Sequence, residues 1–480
     1  MRIPSIALLL LVLSSAAQAS NYSISTTADS GAGSLRQAIL DSNSPAGNAH
    51  TITFTAAFPN NGTILLNSNL PTILSQSLII MGGSKQPRID GQSLRTIFNV
   101  SSGTSIFELS DLTLQNALAP ERGACINSGS DATAGALLAE RVTFSNCQAS
   151  GANLIRGGAI HWTRTNGAIT LIDSRFLGNV VTATASNGQA TGGAVYANAN
   201  FFATRTLFEA NGAFSSTGGG LGGAVSLQGI MRTNSITEST FRFNAASPGA
   251  PIFGYGGALF VGCENCTTQI ARSYLRGNSA NYGGAIYARK NSGGATDLIL
   301  SLVNSSLYNS SVLNTGGAVF IGVGAGLSAS NNTFYNGDAS SGAHLGFEAN
   351  IGAQVIYFRA NLLAPTYAGT ACSGAPTITN PSFIGFNLLS DSSCTNLGTS
   401  ALPNSPIGSA LVDERPGQIG VLRFGGSAVI DSISNGTICE PLDARSQARP
   451  IDGDGNGSAE CDVGAYEDPR DIIFFDGFDA

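Results

Sequence analysis

The apolar positions of this chain return in a fixed pattern. Gly-Gly-Ala followed by an apolar residue stands at 157–160, 192–195, 222–225, 256–259, 283–286 and 316–319. Between these copies a large apolar residue is followed three positions later by Asn: Phe176 and Asn179, Phe208 and Asn211, Phe241 and Asn244, Leu275 and Asn278. The large position extends outward to Leu114, Phe144, Leu307 and Phe334, at spacings of 30, 32, 32, 33, 34, 32 and 27 residues. A period of that size marks a solenoid or a propeller, whose units bury their hydrophobic faces only against one another. Each period holds three short strand-like pieces. One follows Gly-Gly, one lies just before the large residue (Ile169 and Leu171, Leu300 and Leu302), and one carries it. No ten-residue helical pattern intervenes, which excludes leucine-rich and helical solenoids, and a propeller blade needs about 40–45 residues. The pattern predicts an all-β fold, a single-stranded right-handed parallel β-helix. Its Phe positions would stack in the core, and its Asn positions would stack at a corner and satisfy backbone groups coil after coil.

The ends read differently. Residues 1–19 have the form of a secretory signal peptide: Arg2, an apolar run from Ile6 to Leu13, and Ala17-Gln18-Ala19 as cleavage site. Residues 20–100 form an N-terminal cap and first coils. Strand text opens there and gives way at Ser34, an N-cap, to a helical pattern of Leu35, Ala38 and Ile39. A solenoid needs its open end covered, and a short amphipathic helix can cover it. The β-helix repeats run over 101–365, C-terminal coils and a cap over 366–468, and a tail with Phe474, Phe475 and Phe478 over 469–480.

Composition narrows the function. The chain has 480 residues, 60 of them Gly, with 11% charged residues and a net charge of -7. Its only Lys residues are Lys85 and Lys290, so no basic cluster is available to neutralise phosphates and no nucleic-acid partner is expected. No apolar run after the N-terminus reaches the ~20 residues of a spanning helix. A secreted or outer-surface monomer is expected.

Three further patterns concern sites. In an oxidising compartment the eight cysteines are expected as disulfides. Cys125 and Cys147, Cys372 and Cys394, and Cys439 and Cys461 each lie 22 residues apart, read as bridges from one coil to the next; Cys263 and Cys266 would close a local turn. Asp452, Asp454, Asn456 and Gly457 match the first half of an EF-hand-like calcium loop, Glu460 falls on its ninth position, and Asp462 would substitute for the missing final acid. Three residues before each large apolar position stand Asp111, Arg141, Asp173, Arg205, Glu238 and Arg272, then Asn304 and Asn331. Stacked coils would turn these into a ladder of alternating charge.

The alternation of Gly-Gly-Ala-apolar with Phe-x-x-Asn over about 140–340 resembles the polymorphic outer-membrane protein repeat. That resemblance implies a β-helical passenger displayed at the surface of a Gram-negative-type bacterium, often adhesive. Gly33-Ser34-Leu35-Arg36-Gln37-Ala38 resembles the CSLREA-type segment that opens secreted β-helix proteins. Asp462-Val463-Gly464-Ala465-Tyr466-Glu467 resembles the phrase that closes many of them.

No catalytic constellation is legible. Acids are scattered through the repeats, the polygalacturonase phrases are missing, and His161 and His344 sit in apolar text, where a packed or surface His is the expectation. The connection from Asn to Gly-Gly is 13, 11 and 12 residues long after Asn179, Asn211 and Asn244, but 5 after Asn278. Such insertions build one face of a solenoid, here with Phe214, Phe253 and Tyr255. The sequence therefore predicts a structural or adhesion-type protein that binds a carbohydrate or surface protein through that face. The alternative is a polysaccharide lyase or glycoside hydrolase of the pectin-lyase-like class, for which the discriminating feature is a groove lined by two or more acids with an Arg.

Overall fold

The computed structural model describes residues 20–44, 48–128, 134–216, 218–247, 253–290, 297–348, 353–364, 366, 369–394, 397, 399–401, 411–413, 420–423, 429–434 and 438–469. The signal-peptide segment, 1–19, and residues 470–480 of the tail lie outside them.

The chain winds into a parallel β-helix of about 11 turns. One coil shows how the repeat makes it. Ala168–Ile172 runs as a strand, turns at Asp173, and continues as Arg175–Leu177. A second turn at Gly178 leads into Val180–Ala183, and a third at Gly192 leads into Val195–Ala197. All three turn residues are left-handed, with φ of 49° at Asp173, 62° at Gly178 and 65° at Gly192. The next coil pairs with this one in parallel: Leu171 with Ala203, Phe176 with Phe208, Val181 with Ala213, Val195 with Val225.

The two glycines of each Gly-Gly have different reasons. The first holds a φ between 60° and 71° from Gly157 through Gly316, where a side chain is strained. At the second, a Cβ would lie 2.2 Å from the Gly193 oxygen if placed on Gly158, and 2.0 Å from the Gly223 oxygen if placed on Gly193. Successive corners touch backbone to backbone, so no side chain fits.

The core is a set of ladders. The rings of Phe144, Phe176, Phe208 and Phe241 stack at 4.5, 4.8 and 4.5 Å, within 10° of parallel. The Asn positions are fully buried. The Asn211 side-chain oxygen accepts from both the backbone N–H and the Nδ2 of Asn179, and its own Nδ2 donates to the Phe176 carbonyl and to Asn244. Asn244 repeats the arrangement with Asn278. A second buried polar ladder follows the charged corner: Ser174, Thr206, Ser239, Ser273, Ser305, Asn332, Asn361 and Asn387. The side chain of Ser239 accepts from the N–H of Thr206, Ser273 from Ser239, and Asn332 from Ser305. These ladders pair the backbone groups that left-handed turns take out of the sheets, where an unpaired buried group costs about 1–3 kcal/mol.

The N-terminal helix forms over Leu35–Ser42, capped by the Ser34 side chain, which accepts from the Gln37 N–H. Leu35, Ala38 and Ile39 are buried in the same core as Ile24 and the first coils. Arg36 bridges to Asp29 and donates to the carbonyls of Ser68 and Asn69, tying the helix down.

The C-terminal segment folds back against the last coils. Leu422, Val429, Ile433, Ile438 and Val463 pack on Tyr308, Tyr335, Ala360 and Leu362. Asn304 donates to the Leu442 carbonyl, Ser330 to Glu440, and the Ala465 N–H to Thr333 Oγ1. This explains why the charged corner changes to Asn304, Asn331 and Ala360: there the corner is covered, with Asn331 and Ala360 fully buried. The closing phrase of the sequence is a buried polar clasp. Asp443 accepts from the N–H groups of Arg445 and Gln447 and pairs with the Arg445 guanidinium at 2.7 Å. Arg449 donates to the Asp462 and Gly464 carbonyls, and the Arg445 guanidinium lies 3.8 Å over the Tyr466 ring.

Candidate functional site

The long Asn-to-Gly-Gly connections each form an arm of two strands. Residues Val180–Ala183 and Gln189–Thr191 make one arm, Gly212–Ser215 and Gly220–Leu221 the next, Ala245–Ala246 and Gly254–Tyr255 the third. In the following coil the connection is short, and the single strand Ser279–Tyr282 pairs with both halves of the arm before it. The arm therefore ends in a step.

A groove opens at that step. Its volume is about 420 Å³, lined by Tyr255, Tyr282, Tyr287, Phe320, Phe347, Arg289, Glu348 and small residues. One wall is a ladder of outward positions on the strands that follow Gly-Gly-Ala: Phe260 pairs with Tyr287, Tyr287 with Phe320, and Phe320 with Gly346. The Tyr287 and Phe320 rings stack at 5.3 Å and 2°. At Gly346 the ladder is interrupted, because a Cβ there would meet the Phe320 ring at 2.7 Å. The other wall is Tyr255 stacked on Tyr282 at 5.6 Å, with Tyr255 edge-on to Tyr287 at 4.9 Å. Burial pushes the Tyr287 hydroxyl well above its ordinary pKa and raises Tyr255 in the same direction, so both stay protonated and can donate. At the rim Arg289 lies 3.8 Å from Glu348, whose Oε2 also accepts from the Val323 N–H. The groove thus offers flat aromatic faces, one carboxylate and one guanidinium. Paired-carboxylate hydrolysis needs a second acid, and none is among the described lining residues.

Of the loop aromatics singled out in the sequence, Tyr255 lines the groove. Phe253 stands beside the Tyr282 ring at 6.3 Å, and Phe214 is exposed on the arm. Tyr282, Tyr287 and Phe320 were not expected. The signal for the last two was an aromatic two residues after Ala in Gly-Gly-Ala.

His161 and His344 are buried, as packed residues would be. Burial, with Arg122 and Arg156 nearby, lowers His161 to about 3; burial lowers His344 to about 4, and its Nε2 donates to the Ala364 carbonyl.

The cysteines of every expected pair face one another, with Cα separations of 5.8, 5.9, 5.2 and 6.3 Å from Cys125–Cys147 to Cys439–Cys461, inside the disulfide range. The reason for the spacing of 22 differs from the expected one. A full coil is longer than 22 residues, so Cys125 and Cys147 are not equivalent positions one coil apart. Cys125 is level with Ala159 of a Gly-Gly-Ala corner, and Cys147 takes the place of an Asn in the buried ladder.

The acidic loop is redistributed as well. Asp452 accepts from the N–H groups of Gly455 and Gly457 and lies beside Asp454, as an ion-binding loop requires. The Asn456 oxygen accepts from the Ser458 N–H instead. Glu460 lies outside the carboxylate cluster, its backbone bridged to Ile451. Asp462 also lies outside it, because both its oxygens are taken by the N–H groups of Asp431 and Asp468. The third carboxylate of the cluster is Asp431.

Among the described residues no helix is long and apolar enough to cross a membrane. No protein-family model matches the chain, and no curated protein is significantly similar to it. What the geometry establishes is a parallel β-helix with an aromatic groove at a step in its surface, Glu348 being the one acid among its described lining residues.

Proposed function

We propose that this protein is a secreted or surface-displayed β-helix that binds carbohydrate in the aromatic groove. The observation that carries this reading is the pair of stacked walls, Tyr287 on Phe320 and Tyr255 on Tyr282, with Arg289 and Glu348 at the rim. Sugar rings present C–H faces that lie well on aromatic rings, and their hydroxyls need a few placed polar partners. A groove of about 420 Å³ lies within the ~300–1,000 Å³ range of ligand sites. The single carboxylate favours binding over cleavage. The repeat phrases resembling the polymorphic outer-membrane repeat, and the signal-peptide pattern read in residues 1–19, support display at a bacterial surface.

The test is a screen of the purified chain against neutral and acidic polysaccharides that reads retention and cleavage together. Retention without new reducing ends or unsaturated products supports the proposal. Cleavage would replace it with the lyase or hydrolase reading. Failure to retain any glycan, with capture of a surface protein instead, would overturn the choice of ligand class.

A further inference from the structure

We propose that Asp431, Asp452 and Asp454 hold a calcium ion that pins the C-terminal segment in its folded-back position. The three carboxylates each offer an oxygen, all within 4.8 Å of one another. Proximity of acids is not by itself a site, but Asp431 adds an independent reason. It is only 9% exposed, and its Oδ1 is buried with no hydrogen-bond partner, while Oδ2 accepts from the Asp454 N–H at 2.7 Å. No salt bridge reaches Asp431 or Asp454 among the described residues. A buried carboxylate oxygen left unpaired is costly, and a cation at the cluster removes that cost.

The surroundings say which cation. All donors are hard oxygens, which excludes a preference for soft transition metals. Asp452 and Asp454 lie on the loop of 452–457, with Asp454 exposed, so water completes the shell. Two loop carboxylates, a third from the docked stretch and room for water suit the six to eight ligands of calcium better than the strict octahedron of magnesium. Exposed sites of this kind in extracellular modules bind with Kd on the order of 10⁻⁴–10⁻³ M, suited to a secreted chain.

The consequence is architectural. Asp431 belongs to the stretch that packs Val429 and Ile433 on the last coils, and its N–H donates to Asp462 of the clasp. Within the loop of 452–457 short turns bind Asp452, Asp454 and Asn456 to their own neighbours, and the Asp454 N–H already reaches Asp431. An ion shared by the two ties the loop to the docked stretch. Binding only the folded state would then raise its melting temperature.

The experiment uses the full secreted chain, stripped with chelator and melted without metal, with millimolar calcium and with millimolar magnesium. Calcium should raise the melting temperature by several degrees and magnesium by much less, and equilibrium dialysis with calcium should find one ion per chain. Asp454→Asn, an exposed change that leaves the fold intact, should abolish the shift and the bound ion, as should Asp431→Asn. Glu460→Gln should retain both. Wild type that neither shifts nor binds calcium overturns the proposal. Loss of the response in Glu460→Gln with retention in Asp454→Asn overturns the ligand set.

Discussion

Arg205 grips Asp173 across one step of the solenoid, Nε to Oδ1 at 2.7 Å and a second guanidinium nitrogen to Oδ2 at 2.9 Å. On its other side Glu238 stands 4.0 Å away, and Glu238 in turn pairs with Arg272 at 3.1 Å. Every one of these residues occupies a left-handed corner, with φ between 46° and 50°. The hydrogen bonds from Arg205 hold the Asp173 carboxyl below its ordinary pKa, which suits a structural ion pair and not a general acid. Exposed pairs contribute only ~0.2–1 kcal/mol each. Reversing the sign costs more, because Arg205→Glu sets three acids in succession. The expected loss is about 1–2 kcal/mol at low salt, shrinking at high salt as screening grows. Thermal melts at two ionic strengths check this, and a variant that melts like wild type at both would show that the alternation is idle.

The buried Asn ladder should be far more sensitive. Asn211→Ala leaves the Asn179 N–H and one of the two Asn179 Nδ2 hydrogens without partners, the other still donating to the Phe144 carbonyl, and takes a donor from the Phe176 carbonyl. Buried groups orphaned in this way cost ~1–3 kcal/mol each, so a loss of roughly 3 kcal/mol or more is expected in denaturant unfolding. Asn60→Ala, at an exposed turn where φ is not left-handed, should cost less than about 1 kcal/mol.

Backbone contact at the Gly-Gly corners gives a steric test. A Cβ on Gly193 meets carbonyl oxygens at 2.0 and 2.5 Å, whereas one on Gly103 has nothing nearer than 3.7 Å. Gly193→Ala should lower stability by ~3 kcal/mol or greatly reduce the yield of folded protein, and Gly103→Ala should stay within about 0.5 kcal/mol of wild type. Equal stability of the two would contradict the close approach of successive coils.

The two buried histidines set a pH dependence. His161 and His344 are held neutral in the folded chain, with pKa lowered to about 3 and about 4, whereas the unfolded chain takes up protons below about 6.5. Their contribution is complete above that value and is lost as pH falls toward 4, because the unfolded state then binds more protons. His344→Gln keeps a donor for the Ala364 carbonyl but has no proton to gain. Its melting temperature should approach or overtake that of wild type as pH falls from ~7 to ~4.5. A difference that stays constant over this range would rule out the linkage.

Much of this was legible in the sequence because a solenoid writes its tertiary contacts as a period. Phe176 above Phe208, Asn179 above Asn211 and Asp173 beside Arg205 are each one repeat apart, and Ser34 could be read as an N-cap from its neighbours alone. The second polar ladder escaped notice because its identity changes from Ser and Thr to Asn between Ser305 and Asn332, although each member directly follows a corner residue. The groove was only half visible. The shortened connection after Asn278 could be counted, but the meeting of Tyr282 with Tyr287 and Phe320 depends on how the arm ends over the neighbouring sheet. Asp431 could not be found from the loop of 452–457, since its place in the cluster comes from a fold-back that no local pattern encodes.

The groove is the central claim, and titration calorimetry tests it most directly. The oligosaccharide retained in the screen would be titrated into wild type, Tyr282→Ala and Arg289→Ala, each first shown to melt with wild type. The predicted result is a single site whose affinity falls at least tenfold in Tyr282→Ala, ~1.4 kcal/mol or more, and measurably in Arg289→Ala. Unchanged affinity in both variants would place binding elsewhere and contradict the assignment of the aromatic groove.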